Sequence, residues 1–285
     1  MKKQNSILIF FALLFIFACN ARENNKKQLS KAEKLYEKKE YAQALLKIDS
    51  TLAKYPEDYD FIVLKSRVLS ALENEDDAIN LLKPLLKKNY KLDTLNYLIA
   101  NCYFGKGKGS TDDTSAYIYK KAIFYCQKAI SINLLYKDAY LRMSRCFHNQ
   151  NQYNRSVEVI EGALKLFPND VELIAERGIE KSLLGDYKGS EVDFNLVIKA
   201  KADSAILADV FRFRGLGQWD RNNNREALND FTTALKYNPQ NMHLYANRGN
   251  CYLDLGMKDK ACEDFSKAVS LGWTEGYEVI RDNCN

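Results

Sequence analysis

Two consecutive stretches of 34 residues decide the fold: ADVFRFRGLGQWDRNNNREALNDFTTALKYNPQN (208–241) and MHLYANRGNCYLDLGMKDKACEDFSKAVSLGWTE (242–275). Both carry glycine at the eighth position, alanine at the twentieth and twenty-seventh, and phenylalanine at the twenty-fourth. In the second stretch the glycine is Gly249 and the phenylalanine is Phe265. Small residues at these positions allow two antiparallel helices to approach closely, and the aromatic rings fill the space around them. The period therefore predicts helical pairs that repeat along the chain.

The spacing aromatic-x3-Gly-x2-Tyr, then Ala-x3-Phe-x2-Ala, then proline, resembles the tetratricopeptide repeat. Pro239 closes the earlier unit because proline cannot continue a helix. The resemblance implies an all-α fold, a right-handed α-α superhelical solenoid of about seven tetratricopeptide helix pairs. The same register places the repeats at 25–58, 59–92, 93–136, 137–170, 171–204, 208–241 and 242–275, with a C-terminal capping helix at 276–285.

Two irregularities interrupt the period. Ala205, Ile206 and Leu207 stand between two units and are predicted to lengthen a helix. The sequence GKGKGSTDDT (105–114) adds about ten residues to the third unit. Its order Lys108-Gly109-Ser110 does not fit a phosphate-binding loop, which needs Gly-Lys-Ser/Thr after a strand. A flexible surface loop is predicted here.

The N-terminus resembles a bacterial lipoprotein signal peptide. A basic head precedes an uncharged apolar run, Ile7 to Ala18, which is shorter than the roughly 20 residues of a membrane-spanning helix. The resemblance implies cleavage after residue 18, acylation of Cys19 and a lipidated tether at 19–24. A plain signal peptide that leaves a soluble periplasmic protein is the alternative. Asn20, rather than aspartate, after the cysteine favours the outer membrane, facing the periplasm, within the bacterial cell envelope.

The composition argues against catalysis and against nucleic acid. Lys plus Arg is 42 and Asp plus Glu is 37, which is too balanced for a concentrated basic face. The two histidines, His148 and His243, are too few for a three-histidine zinc site. No catalytic motif stands in its required context. We therefore expect no enzyme activity, catalytic residue, metal, cofactor or small-molecule substrate.

The seven cysteines fall into four groups. Cys19 is the lipidation site, and Cys102, Cys146 and Cys251 occupy the tenth position of their repeats as small hydrophobic residues. Cys126 is a further helical cysteine. Cys262 and Cys284 are each about ten residues from the turn near Gly272, so the two helices should bring them level, and the oxidising surroundings of an exported protein permit a disulfide between them. Cys251 is the competing partner of Cys262.

A charged pair recurs in the last three complete repeats. Arginine stands at the seventh position and aspartate at the twenty-third, so that the two are 16 residues apart. Guanidinium and carboxylate groups match through paired hydrogen bonds, which predicts one contact used three times. The pairs are Arg177 with Asp193, Arg214 with Asp230, and Arg248 with Asp264.

The concave groove is where tetratricopeptide domains bind partner peptides, and aromatic and arginine residues favour such interfaces. The resemblance implies a protein or peptide partner at Tyr97, Asn101, Phe104, Leu141, Arg145, His148, Arg212 and Trp219. Ile179, Leu216 and Asn250 occupy further groove positions. The site is predicted to be centred on Phe104, Arg145, Arg212 and an exposed Trp219, with the first two repeats as a spacer. The family's lysine–asparagine–arginine clamp for a chaperone's terminal carboxylate is not found in consecutive units.

Together these features predict a non-enzymatic, membrane-anchored scaffold for protein–protein interaction. An outer-membrane assembly or pilotin-like lipoprotein factor is a more specific alternative. A regulatory or enzymatic subunit that uses the 105–114 loop is an alternative of another class.

Overall fold

The computed structural model describes residues 23–110 and 112–284, and within them every regular element is helical. The predicted signal peptide (1–18) and Cys19 lie outside the described residues. The helices are α1 (23–37), α2 (Tyr41–Leu52), α3 (Tyr59–Ala71), α4 (Glu75–Leu82) with the 3-10 helix Lys83–Lys88, α5 (Leu92–Lys108), α6 (Asp112–Ile132), α7 (Lys137–His148), α8 (Tyr153–Leu164), α9 (Val171–Leu183), α10 (Tyr187–Lys199), α11 (Ser204–Asp220), α12 (Asn224–Tyr237), α13 (Met242–Asp254), α14 (Lys258–Ser270) and α15 (Gly276–Cys284).

The architecture is an all-α tetratricopeptide solenoid fold. Seven helix pairs follow the sequence period, although α1, α5 and α11 begin before the ranges 25–58, 93–136 and 208–241, and α15 follows the last pair. The three residues 205–207 lie in α11, which is 17 residues long. The chain divides into two compact units. The boundary between them falls within α7, between Arg142 and Met143. None of the helices in the described part combines the length and apolar character needed to cross a bilayer.

Within the later repeats, glycine on the first helix meets phenylalanine on the second. A Cβ atom at Gly215 would lie 2.9 Å from the ring of Phe231, and one at Gly249 would lie 2.6 Å from the ring of Phe265. Both rings are fully buried. The recurrence of glycine in the sequence therefore reflects the absence of space for a side chain, because buried aromatic rings occupy that space.

The turn inside each repeat has its own signature. The fifteenth residue of six predicted repeats has a positive φ, between 56° and 79°. Gly185 and Gly256 adopt this left-handed conformation without a steric penalty, whereas side-chain-bearing residues adopt it at a cost. The six residues are Lys39, Glu73, Asn151, Gly185, Asn222 and Gly256.

The third repeat corrects the prediction of a flexible loop at 105–114. Residues 105–108 end α5, and α6 begins at Asp112, so both helices are longer than those of neighbouring repeats. The glycines serve close packing: a Cβ at Gly105 would lie 2.6 Å from Oε1 of Glu75, and one at Gly107 would lie 2.7 Å from the ring of Tyr119. The added residues therefore extend the helices, and the loop proposed for an enzymatic role is largely absent.

The N-terminal tether prediction also needs correction. Residues 23 and 24 belong to α1, so the described part of the predicted 19–24 tether is helical. Ala32 of α1 is fully buried against Ile48 of α2 and Phe61 of α3, which ties the helix to the first core. Asn25 Nδ2 also donates to Asp58 Oδ2 at 3.4 Å. Packing of the apolar face explains why a polar stretch is ordered as a helix.

The predicted arginine–aspartate contact is confirmed in all three repeats. Arg214 donates from Nε to Asp230 Oδ2 at 2.9 Å and from Nη2 to Oδ1 at 2.6 Å. The same two-bond geometry joins Arg177 to Asp193 and Arg248 to Asp264. All three aspartates are buried. Removing one arginine would therefore leave a buried carboxylate, at a cost of about 3–5 kcal/mol.

A disulfide links the last repeat to the terminal helix. Cys262 of α14 and Cys284 of α15 are bonded, and their Cα atoms are 5.7 Å apart. Cys251, the alternative partner, is a buried free cysteine. The terminal helix also packs closely at Gly276, where a Cβ would lie 2.5 Å from Trp273 and Val269. The disulfide and this contact hold α15 against α14.

Candidate partner-binding groove

The first compact unit contains a groove built from the first helices of its repeats. Its cavity has a volume of about 550 Å³. Helices α1, α3 and α5 supply most of the wall, and the start of α7 closes one end. The lining includes Tyr36, Val63, Ser66, Arg67, Ser70, Thr94, Tyr97, Leu98, Asn101, Tyr136 and Asp138. The four first helices therefore share one concave surface.

Aromatic and charged groups line this groove together. The guanidinium carbon of Arg67 lies 4.9 Å from the ring centroid of Tyr36, and the rings of Tyr97 and Tyr136 are 5.1 Å apart. Arg67 and Asp138 are exposed, while the three tyrosines are half-buried. A surface of this kind offers rigid apolar area with polar groups at its edge, as interface hot spots do.

Asn101 contributes an unused hydrogen-bond acceptor to the wall of the groove. Its Oδ1 atom is buried and has no hydrogen-bond partner. A buried acceptor without a donor costs about 1–3 kcal/mol. The neighbouring Cys102 supplies no nucleophile, because burial raises the pKa of its thiol to about 12. The groove is therefore equipped for binding.

The structure separates the predicted site residues of this unit. Tyr97 and Asn101 line the groove, as the sequence predicts. Phe104 and Leu141 are 7% and 3% exposed and belong to the core, so their assignment to the partner surface is wrong. The guanidinium carbon of Arg142 lies 4.3 Å from the ring centroid of Phe104. The added length of α5 and α6 buries this position, which is open in a repeat of ordinary length.

In the second unit, the predicted residues Arg145 and His148 are bound to glutamates of the next repeat. Arg145 Nε donates to Glu176 Oε1 at 2.7 Å, and its Nη2 contacts Glu172 Oε1 at 3.3 Å. His148 Nδ1 lies 2.9 Å from Glu180 Oε1. The three glutamates are spaced four residues apart on α9 and so share one face. This cluster joins two neighbouring first helices.

Burial and hydrogen bonding shift the pKa values of two residues in this cluster. Desolvation raises the pKa of Glu176, although Arg145 opposes that effect. The hydrogen bond to Glu180 raises the pKa of His148. Glu180 is fully buried, and its Oε2 atom has no hydrogen-bond partner. His148 is therefore a structural partner of a buried carboxylate, with about a third of its side chain exposed.

The remaining predicted residues also take part in packing. Trp219 is half-buried, and its Nε1 donates to Asp254 Oδ2 of α13 at 2.6 Å, so the expectation of an exposed, unoccupied tryptophan is wrong. The Arg212 guanidinium lies 4.1 Å from the ring centroid of Phe213. Ile179 is buried, whereas Leu216 and Asn250 are half-buried. Trp219 therefore contacts the next first helix, whereas Arg212 contacts Asp209 and Phe213 of its own helix.

Sequence reasoning missed Arg67 and Tyr136 of the groove, and it assigned the groove position Tyr36 to a spacer. Two of them carried a usable signal. Tyr36 and Arg67 stand at the twelfth and ninth positions of their repeats, which face the groove in this architecture. Tyr136 is the last residue of the third repeat, after the end of α6, where the period assigns no role. The described residues contain no group of three or more histidine, cysteine, aspartate or glutamate side chains placed to hold a metal ion.

Comparisons with known proteins agree with this geometry. Two tetratricopeptide-repeat family models match, one over residues 137–170 and one over 214–275. These segments are tetratricopeptide repeats. Their helix pairs define a repeat scaffold of the kind that binds protein partners.

Curated relatives match a short segment. Hsp70-Hsp90 organizing protein 3 of Arabidopsis thaliana and the Hsp70-Hsp90 organizing protein of Triticum aestivum are each 32% identical over 73 residues. That segment is 25% of this chain and 13% of each relative. The similarity therefore concerns repeats within much longer proteins.

Solved structures share the fold over most of the chain. A tetratricopeptide repeat protein from Parabacteroides merdae ATCC 43184 aligns with a TM-score of 0.69 at 18% identity, covering 91% of this chain and 98% of that one. The Cut9-Hcn1 hetero-tetramer of the APC/C aligns with a TM-score of 0.58 at 16% identity, covering 86% of this chain and 46% of the other. At such identities the likeness establishes the fold.

Proposed function

We propose that this protein is a lipid-anchored scaffold that holds a protein partner in the groove of its first four repeats. The observation that carries the proposal is an open groove of about 550 Å³ in which Arg67 lies 4.9 Å from the ring centroid of Tyr36 and the rings of Tyr97 and Tyr136 are 5.1 Å apart. The site differs from the one expected from sequence, because the first two repeats contribute Tyr36 and Arg67 rather than serving as a spacer. Tetratricopeptide proteins generally bind protein partners and are generally scaffolds rather than enzymes.

The chemistry of the groove indicates the form of its occupant. The half-buried tyrosines offer flat apolar area to the side chains of a bound segment. Arg67 favours a carboxylate or an aromatic ring, and Asp138 favours a cation. An extended segment with both charges fits these groups, in the manner of peptides held in concave repeat surfaces.

Binding is tested by a double variant, Arg67→Ala with Tyr97→Ala. Truncating two hot-spot residues should weaken partner capture by about 2–4 kcal/mol without loss of helical content, because both side chains lie at the surface of the groove. The matched control is Tyr277→Ala with Arg281→Ala on α15, where both side chains are exposed. Equal capture by the groove variant and the parent would contradict the assignment of the groove.

The proposed anchor rests on the sequence around Cys19 and has its own test. Acyl chains confer attachment that salt does not reverse, since each buried methylene contributes about 0.8 kcal/mol. The parent protein should stay with membranes after a high-salt wash, and Cys19→Ser should be released by it. Retention of Cys19→Ser after that wash would place the anchor elsewhere and would leave the groove proposal untouched.

A further inference from the structure

The outer face of α6 carries an unusual combination of residues. From Thr114 to Lys137 the sequence contains four lysines and no aspartate or glutamate. Three of these lysines, Lys120, Lys121 and Lys128, belong to α6. Within this stretch of the helix their charges therefore have no carboxylate neighbour, unlike those of the solvated charged faces elsewhere in the chain.

Aromatic and aliphatic side chains share this face with the lysines. Tyr117, Phe124 and Ile132 are 61%, 49% and 51% exposed, and they lie seven and eight residues apart, which places them on one side of a helix. Lys121 Nζ is 4.5 Å from the ring centroid of Tyr117, and Lys128 Nζ is 4.5 Å from that of Phe124. We call these five residues the α6 outer stripe.

Packing of the fold does not need the stripe. The opposite side of α6 is buried through Ile118, Tyr119, Ala122, Cys126 and Ala129. Beyond the helix end, Leu134 and Leu135 add two more apolar side chains, 58% and 64% exposed. Several exposed apolar side chains gathered in one segment indicate an interaction site, whereas single exposed residues are ordinary.

We infer that the α6 outer stripe docks on an anionic lipid surface. Lysines without neighbouring carboxylates complement anionic headgroups, and their stems allow the ammonium groups to reach the headgroups while the rings enter the acyl boundary. Tyrosine and phenylalanine side chains beside lysine are suited to that interface. A protein partner with an acidic apolar helix is a different occupant, which the experiment separates.

The predicted lipid anchor near the first unit supports an anionic lipid surface as the occupant of the α6 outer stripe. The predicted lipid site, Cys19, precedes the first described residue by four positions, so an acyl anchor would bring the first unit to a bilayer. The stripe itself does not require the anchor. Its test therefore uses the full chain with Cys19→Ser, so that failure of the anchor proposal and failure of the stripe proposal give different results.

The experiment places a reporter in the stripe. Phe124→Trp in the Cys19→Ser chain is mixed with vesicles of phosphatidylcholine and phosphatidylglycerol, and with vesicles of phosphatidylcholine alone. We expect a blue shift and quenching by brominated acyl chains with the anionic vesicles. The matched control is Val192→Trp on α10, a 62% exposed apolar position flanked by acidic residues, which should respond to neither vesicle.

Charge reversal completes the test. Lys121→Glu with Lys128→Glu should reduce cosedimentation with anionic vesicles at least tenfold, while Lys258→Glu with Lys260→Glu on α14 should not. An unchanged emission spectrum of the Phe124→Trp chain with anionic vesicles overturns the proposal. A spectral change that follows protein concentration without vesicles also overturns it, since the stripe would then contact a second copy of the chain. Equal binding to both vesicle types would exclude the role of the lysines and overturn it as well.

Discussion

At the scale of single residues, a glycine of the first helix faces a buried ring of the second helix in each of the last three repeats. Gly215→Ala would place a methyl group 2.9 Å from Phe231, which is held on every side by the core. Overpacking of this kind costs about 1–3 kcal/mol. We expect the free energy of unfolding of Gly215→Ala, measured by urea denaturation, to fall by that amount.

Gly162 supplies the matched control for that variant. It lies in α8 with no atom within 4 Å of the position that a Cβ would take. Gly162→Ala should stabilise the protein by up to about 1 kcal/mol, because alanine is the better helix former. If both variants changed stability in the same direction, the close approach of helix and ring would not explain the recurrent glycine.

A second residue-scale prediction concerns His148 and pH. The hydrogen bond to Glu180 raises the pKa of His148 above its ordinary value of 6.5. A histidine whose pKa is higher in the folded than in the unfolded protein stabilises the fold fully at pH values below its pKa in the unfolded protein. This contribution is lost as the pH rises through its pKa in the folded protein. The free energy of unfolding should therefore fall more steeply between about pH 6 and 8 in the parent than in His148→Gln.

The other histidine provides the comparison. His243 is exposed at the start of α13, so His243→Gln should keep the parent's pH dependence. Glu176 acts in the same direction as His148, because burial raises its pKa and its contribution is also lost as pH rises. Parallel pH curves for His148→Gln and the parent would show that this histidine is not coupled to folding.

Residues whose partners lie in the same repeat were predictable, and those whose partners lie in the next repeat were not. The 16-residue offset between Arg214 and Asp230 recurs, so the sequence itself displays the contact. Trp219 and Asp254 are 35 residues apart and occur once. Without a recurrence, the sequence offered no reason to pair them, and Trp219 was interpreted as an exposed partner residue.

At the scale of elements, the third repeat shows how local sequence misleads. Glycine and charged residues at 105–114 are typical of loops, yet most of them lie in α5 and α6. Glycine in a helix is about 1 kcal/mol less favourable than alanine. The close approach of Glu75 to Gly105 and of Tyr119 to Gly107 outweighs this cost. Tertiary packing that no local pattern reveals therefore decided this element, and it also buried Phe104.

The terminal helix depends on its disulfide. Gly276 is the buried residue of α15, so this helix buries little apolar surface of its own. The bond closes a loop with a sequence separation of 22, for which chain entropy predicts about 3 kcal/mol. Reduction of the disulfide should lower the free energy of unfolding by about 3 kcal/mol. It should also speed the amide hydrogen exchange of α15.

A variant without the bond controls for the reductant. Cys262→Ser with Cys284→Ser should already show rapid exchange in α15 and should not respond to reduction. Cys251 is buried, and burial raises the pKa of its thiol to about 12, so it should not exchange with the bond. Unchanged exchange in α15 of the parent after complete reduction would show that packing alone holds the helix.

At the scale of the whole molecule, the two compact units use their first helices differently. In the first unit, the groove leaves Tyr97 and Arg67 available to a ligand. In the second unit, the corresponding positions are occupied by Arg145, His148 and Trp219, which bind carboxylates of the next repeat. The period predicted helices and their inner faces across both units, but only the structure distinguishes open groove positions from paired ones.

The central claim is that a protein partner lies in the groove of the first unit. It is tested most directly by photo-crosslinking in cells, with a benzophenone amino acid placed at Tyr97 or, as the matched control, at Tyr277, which is 67% exposed on α15. The account predicts a crosslinked protein of defined mass from position 97, lost when Arg67→Ala is added, and none from position 277. A crosslink from position 277 alone, or none from position 97, would contradict it.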